Sequence, residues 1–379
     1  MQKITAEKVD LEKTTLAKFK KERGVQAVSD TYAEQLEELF LVRNPKHRFD
    51  KNYQRQLESF VAEHLAGRKI EQAGIWLYFE WRKTLVHLLP DELYQEVRTS
   101  RNRNLITADE QRKLLGKTVA VTGLSVGSHC AINIALSGIG SKFKFSDFDT
   151  ISASNLNRIL SGTSRLGHRK SDWISHTILE INPYAEIYVY EEGISPENVQ
   201  EFIEGSARSP KVDLLVEELD SLNIKIILRE QARQNKIPVV MVTDTENPVI
   251  DIERYDREAD LPIFNGLIGE SADYHNVVPA DMVKMVVKII GPDNFSIREQ
   301  HSMLAVGKEI YSWPQLGAQA GVAGGIAAYL VRKILLGTDI RSGKYNLNID
   351  SLFDAGYRSP AAAQERRENS EDFKKKLGL

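Results

Sequence analysis

Thr118-Val119-Ala120-Val121-Thr122-Gly123-Leu124-Ser125-Val126-Gly127-Ser128 reads as a short β-branched strand, a glycine-containing turn and the opening of a helix that runs on through the apolar stretch Ala131 to Leu136. Strand, glycine turn and helix in that order form the first unit of a Rossmann-like, doubly wound α/β sheet. Glycine lets a backbone approach a phosphate closely, and the free amides at the helix start favour an anion there. Gly123, Ser125 and Gly127 are the turn positions expected to face such a group. The alternative is a plain tight connection.

The next strand, Phe143 to Ser146, ends at Asp147, where an acid in this topology accepts the ribose hydroxyls of a nucleotide. Its blander reading is a helix or turn cap, and Asp149 reads as that cap rather than as a ligand. Asn155 and Arg158 are three apart and share one face of a helix. A guanidinium beside an amide suits a polyphosphate, and the alternative is a solvated surface arginine. Lys170 stands at the start of a helix predicted over Asp172 to Ile181, where the helix dipole disfavours a cation unless an anion accompanies it.

After the strand Val212 to Val216 come Glu217, Glu218, Leu219 and Asp220, at the carboxyl end of what would be the fourth parallel strand. Three acids there need a metal or donors to compensate them. Magnesium takes one or two carboxylates together with phosphate oxygens, so Asp220 is the expected ligand, with Glu217 or Glu218 behind it. The competing reading is a solvated acidic loop.

From about Arg101 to Leu336 the chain resembles the ThiF, MoeB and ubiquitin-activating superfamily of adenylating enzymes. The pieces that carry the resemblance are Arg101-Asn102-Arg103, the glycine turn, Asp147-Phe148-Asp149-Thr150 with Ser154 to Arg158, Gly167-His168-Arg169-Lys170, Ile181-Asn182-Pro183 and Asp220. The resemblance implies ATP and Mg2+ as cofactors. It implies Asp147 on the ribose, Asn155, Arg158 and Lys170 on the phosphates, and Asp220 on the metal. It further implies a homodimer in which Arg103 serves the neighbouring subunit's site; the residues alone show only a basic cluster, Arg98 to Arg103. Three features depart from the family pattern: Thr122, Leu124 and Ser125 stand where glycines are usual, the paired Cys-x-x-Cys zinc motifs are absent, and no cysteine follows Met241. Cys130 is the only cysteine and falls in the first helix of the nucleotide unit, which argues for a small buried hydrophobe and against a cysteine thioester on this chain.

With 379 residues there is length for two or three domains, and a net charge of −3 gives no electrostatic case for nucleic acid. The charged amino terminus shows no signal-peptide pattern, and a cytoplasmic enzyme is expected. Tyr311 to Val331 is uncharged, but Pro314, Gln315, Gln319 and four glycines favour a closely packed helix over a membrane span. Residues 1–100 are expected to form a mostly helical leading module, 101–355 the nucleotide-binding domain and 356–379 a charged tail. In the leading module, Lys8 to Lys21 and Ser29 to Leu41 read as helices. The aromatic run Ile75 to Trp81 reads as a strand or as the start of a helix continuing to Leu89, and as core rather than a binding platform. Further strands are predicted near Ile187 and Val239, and helices near Val199 and Ile227, giving a parallel sheet covered on both faces. Beyond Asp244 a less regular connection with Asn247-Pro248, Leu261-Pro262 and Gly266 to Gly269 reads as a lid or partner site, and Ala361 to Leu379 as a helix or loose tail.

The expected activity is ATP-dependent adenylation of a carboxylate, from a small acid, a peptide or a carrier protein, with release of pyrophosphate. Two alternatives from other classes stay open. One is an NAD- or FAD-binding redox protein, for which the turn and Asp147 alone would suffice. The other is a nucleotide-binding scaffold without turnover.

Overall fold

The computed structural model describes residues 1–268 and 279–379, with the side chains of 279–282 left aside. Gly269, the end of the connection singled out above, lies outside the described residues.

Five strands make the parallel centre of an eight-stranded sheet: β6 (Thr118–Thr122), β7 (Lys142–Ser146), β8 (Glu186–Tyr190), β9 (Leu214–Glu217) and β10 (Val239–Val242). Antiparallel strands close both sides, β1 (Gln2–Ile4) beside β8, and β11 (Val249–Glu253) followed by β12 (Gly343–Asn346) beyond β10. The spatial order is β1-β8-β7-β6-β9-β10-β11-β12, so the chain reverses its direction of travel across the sheet between β6 and β9. Ligands bind at such a switch point, above the carboxyl ends of the strands.

Alternation along each strand decides what covers which face. Val119, Val121, Leu214, Val216, Val240 and Val242 point into one core shared with α6 (Val126–Leu136), α7 (Lys170–Ile181) and α12 (Gly317–Leu335). Ala120, Leu215, Val239 and Met241 point into the other, with α8 (Val199–Glu204) and α9 (Leu222–Gln234). The uncharged stretch Tyr311 to Val331 therefore supplies a packed helix, beginning at Gly317 rather than at Tyr311. It lies against α6 so closely that a Cβ on Gly324 would come 2.6 Å from the Cβ of His129. Among the described residues no helix is long and apolar enough to cross a membrane.

The leading module contains more sheet than its composition suggests. Lys8 to Lys21 is not one helix: β2 (Glu7–Lys8) pairs with β4 (Ile75–Phe79), and α1 (Leu16–Arg23) starts only after the Thr15 cap. Ser29 likewise belongs to β3 (Ala27–Asp30), ahead of α2 (Tyr32–Arg43). The aromatic run is the strand β4. It forms a hairpin with β5 (Thr84–Leu88), with Lys83 in the left-handed region at φ 52° turning the chain and ending any helix there. Trp76, Tyr78 and Phe79 are buried, so the run is core, as its composition predicts. Helices α3 (Tyr53–Leu65) and α4 (Asp91–Arg98) complete this part, and α5 (Ala108–Leu115) leads into β6.

Polar contacts fix the leading module to the back of the eight-stranded sheet unit. Arg82 and Trp81 donate to Glu180 at 2.9 and 2.7 Å, Gln95 donates to the buried Asn182 at 2.7 Å, and Tyr94 donates to the Ile181 carbonyl at 3.1 Å. Residues Glu180 to Asn182 thus carry the docking of this module, at the opposite end of α7 from Lys170. Beyond β11 come α10 (Pro279–Ile290), α11 (Ile297–Ala305), α13 (Asp350–Phe353) and α14 (Pro360–Leu377). The charged final stretch is α14, held by buried Phe373 against Phe295 and by the Lys374–Asp293 ion pair at 2.7 Å.

Candidate active site

Gly123 turns at φ +76°, and a Cβ there would lie 2.4 Å from the backbone oxygen of Glu218. Only glycine fits between β6 and the segment after β9. Gly127 serves packing, because a Cβ on it would come 2.9 Å from Val121, and it is not on the cavity wall. Asp147 ties the turn to β7: one carboxylate oxygen accepts from the Leu124 amide at 2.6 Å and the other from the Asp149 amide at 2.8 Å. The cap that was one of its two readings is therefore formed. Burial pushes the Asp147 carboxyl up from its ordinary range, against the pull of Lys170 and of these two amides.

Lys170 is the first residue of α7, two residues earlier than the predicted start, and is 6% exposed. The anion that such a position demands is Asp149, 2.7 Å from its ammonium. Asn155 and Arg158 do not sit on an α-helix. Asn155 ends a single 3-10 turn, Ala153–Asn155, and accepts from the Ser152 amide at 3.0 Å. Arg158 donates to Ser125 Oγ at 3.1 Å and to the Ser154 carbonyl at 3.1 Å, and forms no ion pair with the described residues. Ser125, one of the residues in place of a glycine, thus holds the guanidinium against the turn.

Three acids after β9 diverge. Glu217 is fully buried and accepts from Lys225 Nζ at 3.1 Å, the Leu219 amide at 2.7 Å and Arg229. Arg229 also donates to Glu253 at 2.6 Å and stacks 3.9 Å over Phe264. Glu218 accepts from the Val242 amide at 2.8 Å, and burial pushes its carboxyl well above the usual range. Asp220 is exposed and makes no hydrogen bond or ion pair with the described residues. Protein donors therefore compensate Glu217, whereas Asp220 is uncompensated.

Seven of the nine residues expected at the site line one cavity of about 560 Å³ over the switch point: Gly123, Ser125, Asp147, Asn155, Arg158, Lys170 and Asp220. That volume is in the range of small-molecule sites. Arg103 is elsewhere; it is exposed and donates to the Val42 carbonyl at 3.2 Å. The cavity also holds Asp244, whose carboxylate accepts from Gln315 at 2.8 Å and is pushed up by burial, with Arg158 opposing and Asp220 adding to the shift. Sequence reading missed Asp244 and Gln315. The position of Asp244 just past β10, at the same sheet edge as Asp220, was the available signal. Cys130 is fully buried, and burial pushes its thiol up, as expected of a packing residue.

Among curated proteins, the chain is 37% identical over 305 residues to the uncharacterized protein MT1398 of Mycobacterium tuberculosis, covering 77% of this chain and 42% of that one. It is 30% identical over 156 residues to the molybdopterin-synthase adenylyltransferase of Haemophilus influenzae, covering 39% and 61%. It is 29% identical over 140 residues to that organism's tRNA threonylcarbamoyladenosine dehydratase, covering 36% and 51%. The chain thus spans about half the length of these curated relatives. Among solved structures, Escherichia coli TcdA, a tRNA N6-threonylcarbamoyladenosine dehydratase, superposes with a TM-score of 0.45 at 18% identity, over 66% of this chain and 97% of that chain. PaaA gives 0.45 at 21% identity, over 82% and 86%. The sequence profile of the ThiF family matches residues 99–372, which contain the whole cavity wall described above, and the chain belongs to that family.

Proposed function

We propose that the chain is an ATP-dependent adenylating enzyme that converts a carboxylate into an acyl-adenylate. One observation carries this reading: a guanidinium, Arg158, and a carboxylate, Asp220, each without an ion-pair partner among the described residues, face the same cavity beside a glycine turn. A ligand that answers both must bring negative charge and a cation together, as a magnesium-bound polyphosphate does. A dinucleotide would leave Asp220 unanswered. The relative named as an adenylyltransferase agrees in kind.

The donor set fits magnesium. Among the described residues no cluster of three or more His, Cys, Asp or Glu side chains is arranged to cage a metal. Burial, with a lesser contribution from Asp220 across the cavity, instead pushes the Asp244 carboxyl up, and a hard cation taking one or two carboxylates plus phosphate oxygens would relieve the repulsion between the two acids. When bound, the ion would offset charge on the phosphates.

In the reaction a substrate carboxylate oxygen attacks the α-phosphorus, and the bond to the bridging oxygen of the β-phosphate breaks. Pyrophosphate leaves with that electron pair, and no proton moves. Arg158 and Lys170 act by position and charge, Arg158 held by Ser125 and Lys170 by Asp149. With Cys130 buried, the acyl group passes from the adenylate to an acceptor outside this chain.

ATP–pyrophosphate exchange tests the reading. Asp220→Ala should abolish exchange and leave the melting temperature in place; full exchange in that variant removes the metal assignment. We further propose a two-fold dimer in which Arg103 serves the neighbouring cavity, since it does not line its own. Mixed dimers of Arg103→Ala and Asp220→Ala chains should then regain part of the activity, and inactive mixed dimers would exclude sharing. The domain limits near residues 100 and 355 stand as part of the same proposal, with β1 crossing the first of them to join the main sheet.

A further inference from the structure

The two ends of the cavity differ in chemistry. Sheet order places the residues after β8 and β7 at one end, those after β6 and β9 in the middle, and those after β10 at the other. Four inter-strand steps separate β8 from β10, about 19 Å at the usual spacing. The first end carries Asp147, Phe148, Gly193 and Ile194, where the reading above puts the nucleoside. The far end is walled by Ile224, Met241, Val286, Ile290, Met303 and Trp313. All but Met241 are only half-buried, and they come from α9, β10, α10, α11 and the segment before α12. Trp313 is steadied by Phe295, ring to edge at 5.9 Å.

The polar groups at this end are occupied. The Lys225 ammonium is bound to both oxygens of Glu217 at 3.1 Å, Thr243 and Thr245 share a hydrogen bond at 2.7 Å, and Asp244 accepts from Gln315 through one oxygen and faces the cation proposed above with the rest. A polar or charged substituent entering here would be stripped of water without a free partner, whereas an apolar one would remove half-buried apolar surface from water. A glycine-ended chain would fill none of that space.

Resting on the adenylation reading, we infer that the carboxylate activated here bears a bulky apolar group next to its carboxyl. That group occupies the compartment between β10 and the α10–α11 segment. It belongs either to the last residue of a peptide or to a free branched or aromatic acid.

Non-hydrolysable acyl-sulfamoyl adenosines distinguish these sources and test the inference by calorimetry on the full chain. The N-acetyl-leucyl analogue should bind at least about tenfold more tightly than the N-acetyl-glycyl one if the source is a peptide, and isovaleryl more tightly than acetyl by a like factor if it is a free acid, the discrimination an apolar pocket gives for added methylenes. Met303→Ser should shrink whichever ratio is found while the melting temperature holds. Equal or inverted ratios in both pairs, with ATP itself still bound, overturn the inference and leave adenylation standing. Failure of every analogue and of Mg-ATP to bind folded protein overturns the adenylation reading, and the inference falls with it.

Discussion

Glu217 and Asp220 stand three residues apart on the same sheet edge, yet their surroundings are opposite. Glu217 is enclosed with Lys225, Arg229 and Glu253 in a network whose charges answer one another inside the protein. Asp220 faces the cavity with no partner among the described residues, and Arg158, on the same cavity wall, is hydrogen-bonded to Ser125 and Ser154 but has no carboxylate partner among them. A buried charge that the fold satisfies is part of the scaffold, and removing one member leaves the others stranded. A charge left open at a cavity adds little to stability and is available to a ligand. The same segment thus holds an anchor and a ligand site, and its acidity by itself does not tell them apart.

The sharpest way to break this contrast is to exchange the roles. Arg229→Met leaves Glu217 and Glu253 facing each other in the core, and should cost about 3–5 kcal/mol in chemical denaturation. Asp220→Ala should change stability by no more than about 0.5 kcal/mol while removing about 3 kcal/mol of transition-state stabilisation. Equal stability losses in the two variants would erase the distinction.

A smaller effect is expected at the far side of the network. Asp251 lies on β11 with one oxygen bound by Asn265 at 2.8 Å and the other without a partner among the described residues. Burial, reinforced by Glu253, pushes its carboxyl up to about 7. The folded state therefore holds this proton more tightly than the unfolded chain does. Its stabilising contribution is complete below the unfolded carboxylate pKa and is lost as pH rises through about 7. Against Asp251→Asn, the parent should lose ground steadily between these limits. Parallel denaturation curves for the two across that window would refute the assignment.

The smallest effect concerns the turn. Ser125→Ala removes one hydrogen bond to Arg158 and should slow exchange by about 1.5 kcal/mol, the scale of a bond to a charged group, without altering stability. No change would mean that the serine merely replaces a glycine.

Much of the centre of the molecule could be read beforehand because its determinants are local. β-branched runs, a glycine turn and an acid ending a strand mark β6, β7 and β9 within a residue or two. Asp149 as the partner of Lys170 was within reach too, since the helix start demanded an anion and the chain places one two residues past Asp147. The leading sheet was hidden for a different reason: β2 has two residues and β3 four, too short for alternation to register, and pairing with β4 and β5 decides them. The Glu217–Arg229–Glu253 network was equally hidden, because Arg229 sits in a helical pattern and its second carboxylate lies on a strand 24 residues further on.

The central claim is that this cavity holds a magnesium-bound triphosphate, and calorimetric titration of ATP with and without magnesium tests it most directly. The parent chain should bind ATP, more tightly with magnesium than without it. Asp220→Asn should lose the magnesium dependence and Arg158→Ala most of the affinity, both remaining folded. Absence of ATP binding by the folded parent, or binding indifferent to magnesium and to both substitutions, would contradict it.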